Sequence, residues 1–218
     1  MSCHYRVTRW GLEILGRALF GLRTDGKHHI PERGPVLIAS NHRSALDPVV
    51  VGTAAGREIH YLAKEELFRS RLTSWLLRAY NAFPVRRGTA DRRAMGRVLS
   101  LLRRGEAVLL FPEGTRNRGP GFLPPRAGAG MLAGRAGVPV VPALVDGTEA
   151  LFTQIRRRSL RVRFGVPIPV PEIREGDRGR KNEYRAVAAT IMKRIAALAA
   201  QPSPGPSGAG TDERSWNT

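Results

Sequence analysis

The sequence predicts an α/β fold: a mixed, mainly parallel sheet covered by helices, with an amphipathic helix at the N-terminus. Three observations carry this. Short apolar runs interleave with stretches of helical periodicity along most of the chain. The run PVLIAS, 35–40, has the continuous apolar character of a buried strand. The two densest polar motifs, NHRSALD at 41–47 and PEGTRNR at 112–118, each follow an apolar run directly. In α/β sheets, working residues sit on loops just beyond strand ends. A chain of 218 residues makes one domain, with or without a tail, and can bury a substantial core.

Each element has its own signal. In 5–23, Trp10, Ile14, Leu15, Ala18, Leu19 and Leu22 recur at helical spacing, and Arg6, Arg9, Glu13 and Arg17 fall mostly on the other side. Such a helix packs on the domain core or lies in a membrane interface. After PVLIAS, a helix is expected from 48–56 and a longer helical stretch over 65–80, with Leu67, Phe68, Leu72, Trp75, Leu76 and Ala79. AFPVRR, 82–87, reads as a short strand, and 90–104 as a basic amphipathic helix stopped by Gly105. EAVLLF, 106–111, is the next strand. Residues 127–136 form a small-residue helix, and VPVVPALV, 138–145, a further strand. LRVRFGVPI, 160–168, alternates as a half-buried strand does, and 180–199 closes the domain as an amphipathic helix. The expected organisation is an interfacial helix over 1–25, a domain over 26–200 and a disordered tail over 201–218.

Charge narrows the partners. Lys and Arg number 36 against 18 acids, for a net charge of +18, and only four of the 36 are lysine. Such a surface attracts phosphorylated substrates, acidic carrier proteins, anionic headgroups or nucleic acid. Nucleic acid is not expected, because aromatics are only 6% and no nucleic-acid motif emerges. Cys3 is the single cysteine, which rules out an intrachain disulfide and suits the cytoplasm. No apolar run approaches the roughly 20 residues that span a bilayer. No signal peptide is evident.

The chemistry centres on His42 and Asp47. A histidine takes a proton near neutral pH, and a carboxylate on its second ring nitrogen would set its tautomer. The competing reading is that Asp47, before Pro48, caps the next helix. Both stand open on these residues alone. Ser44 has no G-x-S-x-G frame and Cys3 no supporting context, so a covalent acyl-enzyme is not indicated. In FPEGTR, 111–116, Pro112 and Gly114 shape a tight turn that presents Glu113 as an acceptor and Arg116 as a planar cation suited to phosphate. An exposed ion pair across the turn is the alternative. Lys64 and Arg87 are cations at the edges of apolar elements, suited to an anionic substrate or to plain solvation. GAGMLAG, 128–134, has dinucleotide-like glycine spacing but follows LPPR rather than a strand, so a small-residue helix is expected there. No histidine pair has zinc-ligand spacing, and no metal is expected.

Together the blocks resemble the glycerophospholipid acyltransferase family, which includes bacterial 1-acylglycerol-3-phosphate acyltransferases. NHRSALD is similar to its N-H-x-x-x-x-D block, FPVRR to its second, FPEGTRNR to its E-G-T-R block, and VPVVP, 138–142, to its last. Asn81 stands where the second block often begins with Gly, and Asn117 where Ser often follows E-G-T-R. The resemblance implies that His42 is the general base and Asp47 orients it. It implies acyl transfer from acyl-CoA or acyl-ACP, as co-substrate and with no cofactor, to the hydroxyl of lysophosphatidic acid, giving phosphatidic acid; the alternatives are the same chemistry on another lysophospholipid or amino-lipid acceptor, and a non-catalytic basic module that binds membranes or nucleic acid. Glu113, Gly114, Thr115 and Arg116 would bind the acceptor's glycerol phosphate, with Lys64 and Arg87 as further phosphate partners. Direct transfer implies sequential kinetics. A peripheral location on the cytoplasmic face of the cell membrane follows from a lipid acceptor together with the basic N-terminal helix.

Overall fold

The computed structural model describes residues 3–86, 91–149, 160–170 and 180–201. Seven strands form one sheet among them: β1 (Arg23–Asp25), β2 (Val36–Ser40), β3 (Ile59–Lys64), β4 (Ala82–Val85), β5 (Ala107–Leu110), β6 (Val140–Asp146) and β7 (Arg161–Phe164). Their spatial order is β1-β7-β6-β2-β5-β3-β4. The five strands from β6 to β4 are parallel. β7 runs antiparallel to β6, and β1 parallel to β7. The sheet is therefore mixed and mainly parallel.

Six α-helices accompany it among the described residues: α1 (Cys3–Phe20), α2 (Asp47–Ala55), α3 (Arg71–Ala79), α4 (Arg92–Arg103), α5 (Ala127–Ala136) and α6 (Arg180–Ala200). Alternation along the strands sorts the core into two layers. Val36 and Ile38 of β2, with Ala107 and Leu109 of β5, face the layer made by α2, with Phe20, Phe68, Leu77 and Tyr80 at its margin. Leu37, Ala39, Val108 and Leu110 face α4, α5 and α6. Every residue of β2 is buried, as expected of a strand covered on both faces.

Several boundaries moved for identifiable reasons. The first helix ends at Phe20 rather than at 23, because Gly21, at φ 62°, turns the chain. Residues 23–25 then pair with β7, a contact more than 130 residues away that no local periodicity announces. The stretch 65–80 divides into a 3-10 turn, Glu65–Phe68, and α3. The expected strand 160–168 pairs over 161–164, and beyond it Gly165 donates to the Pro142 carbonyl of β6 at 2.8 Å and Ile168 bridges to Val140.

Two unusual backbone positions explain two sequence features. Asn81 sits at φ 57°, a left-handed conformation that Gly or Asn tolerates best, and its amide donates to Glu58 at 2.8 Å. Gly130 lies inside α5 against α6, where a Cβ would overlap the main-chain oxygen of Tyr184. The small residues of GAGMLAG thus permit close helix packing. The tail beyond residue 201 lies outside the described residues.

Candidate active site

Because β6, β2, β5, β3 and β4 are parallel neighbours, the segments leaving their carboxyl ends share one edge. Thr148 follows β6, His42 follows β2, and Phe111 to Arg116 follow β5. Lys64 ends β3, and Arg86 follows β4. At about 4.8 Å per strand, the end of β3 lies about 10 Å from that of β2, and the end of β4 about 14 Å.

Asn41 opens the first loop and is spent on structure. Its side-chain amide donates to the Val145 carbonyl at 2.9 Å and its oxygen accepts from the Val145 N–H at 2.8 Å. This prolongs the β2–β6 ladder by one side chain. His42 comes next and is almost wholly buried. Its Nδ1 lies 2.8 Å from Asp47 Oδ2. A carboxylate only accepts, so the ring proton resides on Nδ1 and Nε2 keeps its lone pair. The imidazole also stacks on Phe111, with ring centroids 4.0 Å apart.

Asp47 does not cap the helix it begins. The N-cap of α2 is Leu46, without a side-chain cap bond. The Asp47 carboxylate turns back into the loop instead. Oδ2 also accepts from the N–H groups of Arg43 at 2.6 Å and Ser44 at 2.7 Å. Oδ1 accepts from the Thr148 hydroxyl at 2.5 Å. The carboxylate has no exposed surface, and these four donors replace its hydration. His42, Asp47 and Thr148 thus form one buried chain of side chains.

The second loop is tied to the first through Glu113. One carboxylate oxygen accepts from the His42 N–H at 2.9 Å, the other from the Leu123 N–H at 2.9 Å. Glu113 is buried and aimed inward, with both carboxylate oxygens accepting from main-chain N–H groups. Asn117 adds a second tie: its N–H donates to the His42 carbonyl at 2.7 Å, and its buried side chain braces Gly119 and Gly121. Gly114, at φ 69°, makes the turn and is exposed.

Thr115 and Arg116 are exposed on the rim of this loop. Arg116 makes no ion pair among the described residues. Lys64 is exposed and pairs with Glu66 at 3.2 Å. The Glu66 carboxyl is held below its usual range, first by a main-chain hydrogen bond and then by Lys64. Arg87 lies outside the described residues. Thr148 escaped the sequence reading. Its one available signal was its position, two residues beyond a strand, the same kind of place that His42 occupies.

A buried imidazole with an oriented tautomer and an uncommitted Nε2 can accept a proton from a hydroxyl. Among the described residues of the site, the Thr148 hydroxyl is engaged by Asp47 and the Ser44 hydroxyl accepts from the Leu46 N–H at 3.3 Å. The fold and this site define an acyl-transfer protein, and the chain belongs to the acyltransferase family, whose model matches residues 21–146. Among its relatives, a Bacillus subtilis protein named 1-acyl-sn-glycerol-3-phosphate acyltransferase is 27% identical over 165 residues, 75% of this chain and 82% of that one. A human protein named 1-acyl-sn-glycerol-3-phosphate acyltransferase alpha is 34% identical over 171 residues, 73% of this chain and 59% of its own length. The match therefore spans about three-fifths of the human relative. The crystal structure of the Thermotoga maritima 1-acyl-sn-glycerophosphate acyltransferase PlsC shares the fold, with a TM-score of 0.66 and 21% identity, covering 92% of this chain and 83% of that one.

Proposed function

We propose that the protein transfers a fatty acyl group from a thioester, acyl-CoA or acyl-ACP, to the free glycerol hydroxyl of lysophosphatidic acid, giving phosphatidic acid. The observation that carries this reading is the buried His42–Asp47–Thr148 chain, which leaves Nε2 as the one basic ring nitrogen. The relatives' names supply the acceptor. His42 Nε2 removes the hydroxyl proton as the oxygen attacks the thioester carbonyl. The imidazolium that forms is stabilised by Asp47. The tetrahedral adduct then collapses, its C–S bond breaks, and the thiolate takes the proton back from His42. Ester and thiol are the products, and the balance calls for no further cofactor.

The acceptor's phosphate needs cations along the same strand edge. Arg116 supplies a planar guanidinium on the rim. Lys64, about two strand spacings from β2, would exchange Glu66 for a phosphate. Arg87, at the end of the second block, is the third candidate. Glu113 acts by holding the two loops together. The N–H groups of His42, Arg43 and Ser44 are all engaged within the site, so the loop is set before substrate arrives.

A lipid acceptor and a basic N-terminal helix support a peripheral location on the cytoplasmic face of the membrane. Among the described residues, no helix is long and apolar enough to cross a bilayer. The test is thiol release by the purified protein with lysophosphatidic acid and each long-chain donor, for wild type and His42→Ala. Release that collapses in the folded variant supports the reading, and equal release from both proteins overturns it.

A further inference from the structure

Eight of the nine large apolar side chains exposed among the described residues belong to two neighbouring regions. Trp10, Ile14, Leu15 and Leu19 lie on α1. Leu67, in the 3-10 turn, and Leu72, Trp75 and Leu76, on α3, make up the second group. The described residues of α4, α5 and α6, on the opposite face of the sheet, contribute none. This asymmetry is not the scatter of single apolar residues that ordinary surfaces carry.

Both groups flank the helix that starts at the active site. Arg9 of α1 and Tyr80, the C-cap of α3, line one crevice with Pro48, Val49 and Gly52 of α2. Asp47 begins α2. On α3, Leu77 and Tyr80 anchor one side to the core, and Leu72, Trp75 and Leu76 stand at i, i+3 and i+4 on the other. The rim of this patch is cationic. Arg69, Arg71 and Arg78 are exposed around it, and α3 has no acidic residue. The nearby Glu65 and Glu66 are already paired with Arg86 and Lys64. An apolar centre bearing a tryptophan, ringed by arginines, complements an anionic lipid surface.

We propose that α3 is a second membrane-seating element. Leu72, Trp75 and Leu76 enter the boundary between headgroups and acyl chains, and Arg69, Arg71 and Arg78 meet the lipid phosphates. With α1, they seat the Asp47 side of the sheet against the bilayer, next to a lipid acceptor. This orientation rests on the lysolipid reading above, but the contact itself is tested without catalysis.

Replacing Trp10 and Trp216 by Phe leaves Trp75 as the single tryptophan of the chain. This full-length variant is mixed with phosphatidylglycerol–phosphatidylcholine vesicles, with and without brominated acyl chains. Trp75 emission shifts to the blue and is quenched by the brominated lipid, less so on pure phosphatidylcholine. In flotation, the otherwise wild-type L72S/W75S/L76S variant partitions about tenfold more weakly or worse, with an unchanged melting temperature. A chain that floats while Trp75 stays unquenched, or that does not float at all, overturns the proposal. So does burial of Trp75 in a lipid-free dimer, seen as a concentration-dependent sedimentation coefficient. Thiol release is not read in this experiment, so its outcome is separate from that of the acyl-transfer assay.

Discussion

Thr148→Val is the substitution that tests the site most directly. Valine keeps the shape and removes the hydroxyl that donates to Asp47 Oδ1 at 2.5 Å. Asp47 has no exposed surface, so water cannot replace the lost donor without rearrangement. A hydrogen bond to a buried charged group is worth about 1.5–3 kcal/mol. Most of that loss is common to ground and transition states, because Asp47 carries its charge in both. Only the differential part slows the reaction. With less than half of about 2 kcal/mol specific to the transition state, the rate falls by up to about fivefold. That is far less than the roughly 10⁴-fold expected of Asp47→Asn, which removes the acceptor itself. The assay is steady-state thiol release with lysophosphatidic acid varied at fixed donor, alongside thermal melting. The expected result is a lower kcat with an unchanged acceptor KM, restored by Thr148→Ser. A Val variant that melts earlier yet keeps wild-type kcat, or a Ser variant no better than Val, refutes the argument.

Other predictions follow from the packing and the titrating groups. Gly130→Ala forces a Cβ into the Tyr184 carbonyl and is expected to lower stability by about 1–3 kcal/mol in denaturant melts, through separation of α5 from α6. Asn81→Ala places a Cβ residue without a compensating amide at φ 57°, costing about 1–2 kcal/mol, whereas Asn81→Gly relieves the backbone and loses only the contact to Glu58. Burial pushes the His60 imidazole below its ordinary value, with Glu106 opposing in part. The unfolded chain therefore binds a proton here from about pH 6.5 downward, before the folded chain does. The stability due to neutral His60 is complete above that pH and declines as pH falls through the window below it. His60→Gln should flatten that decline, measured as the wild-type minus variant difference in melting temperature against pH.

The kinds of elements and the order of the motifs were legible in the residues alone. Alternation in LRVRFGVPI and helical spacing in 180–199 are local properties, fixed by which side chains must face a core. The placement of NHRSALD and PEGTRNR after strands was legible for the same reason. What those side chains touch depends on the packed sheet. Strand pairing is non-local, so the neighbourhood of β6, β2 and β5 had to exist before Thr148 could reach Asp47 across 101 residues. The direction of Asp47 was open because a helix cap and a loop anchor require the same residue. The unpaired N–H groups of Arg43 and Ser44, the His42 imidazole and the Thr148 hydroxyl drew it into the loop. Glu113 reads in sequence as a charge offered to substrate, yet it is drawn inward because the buried N–H groups of His42 and Leu123 need an acceptor. The short strand β1 was invisible for the converse reason: its three residues carry no pattern, and only the exposed edge of β7 makes them a strand.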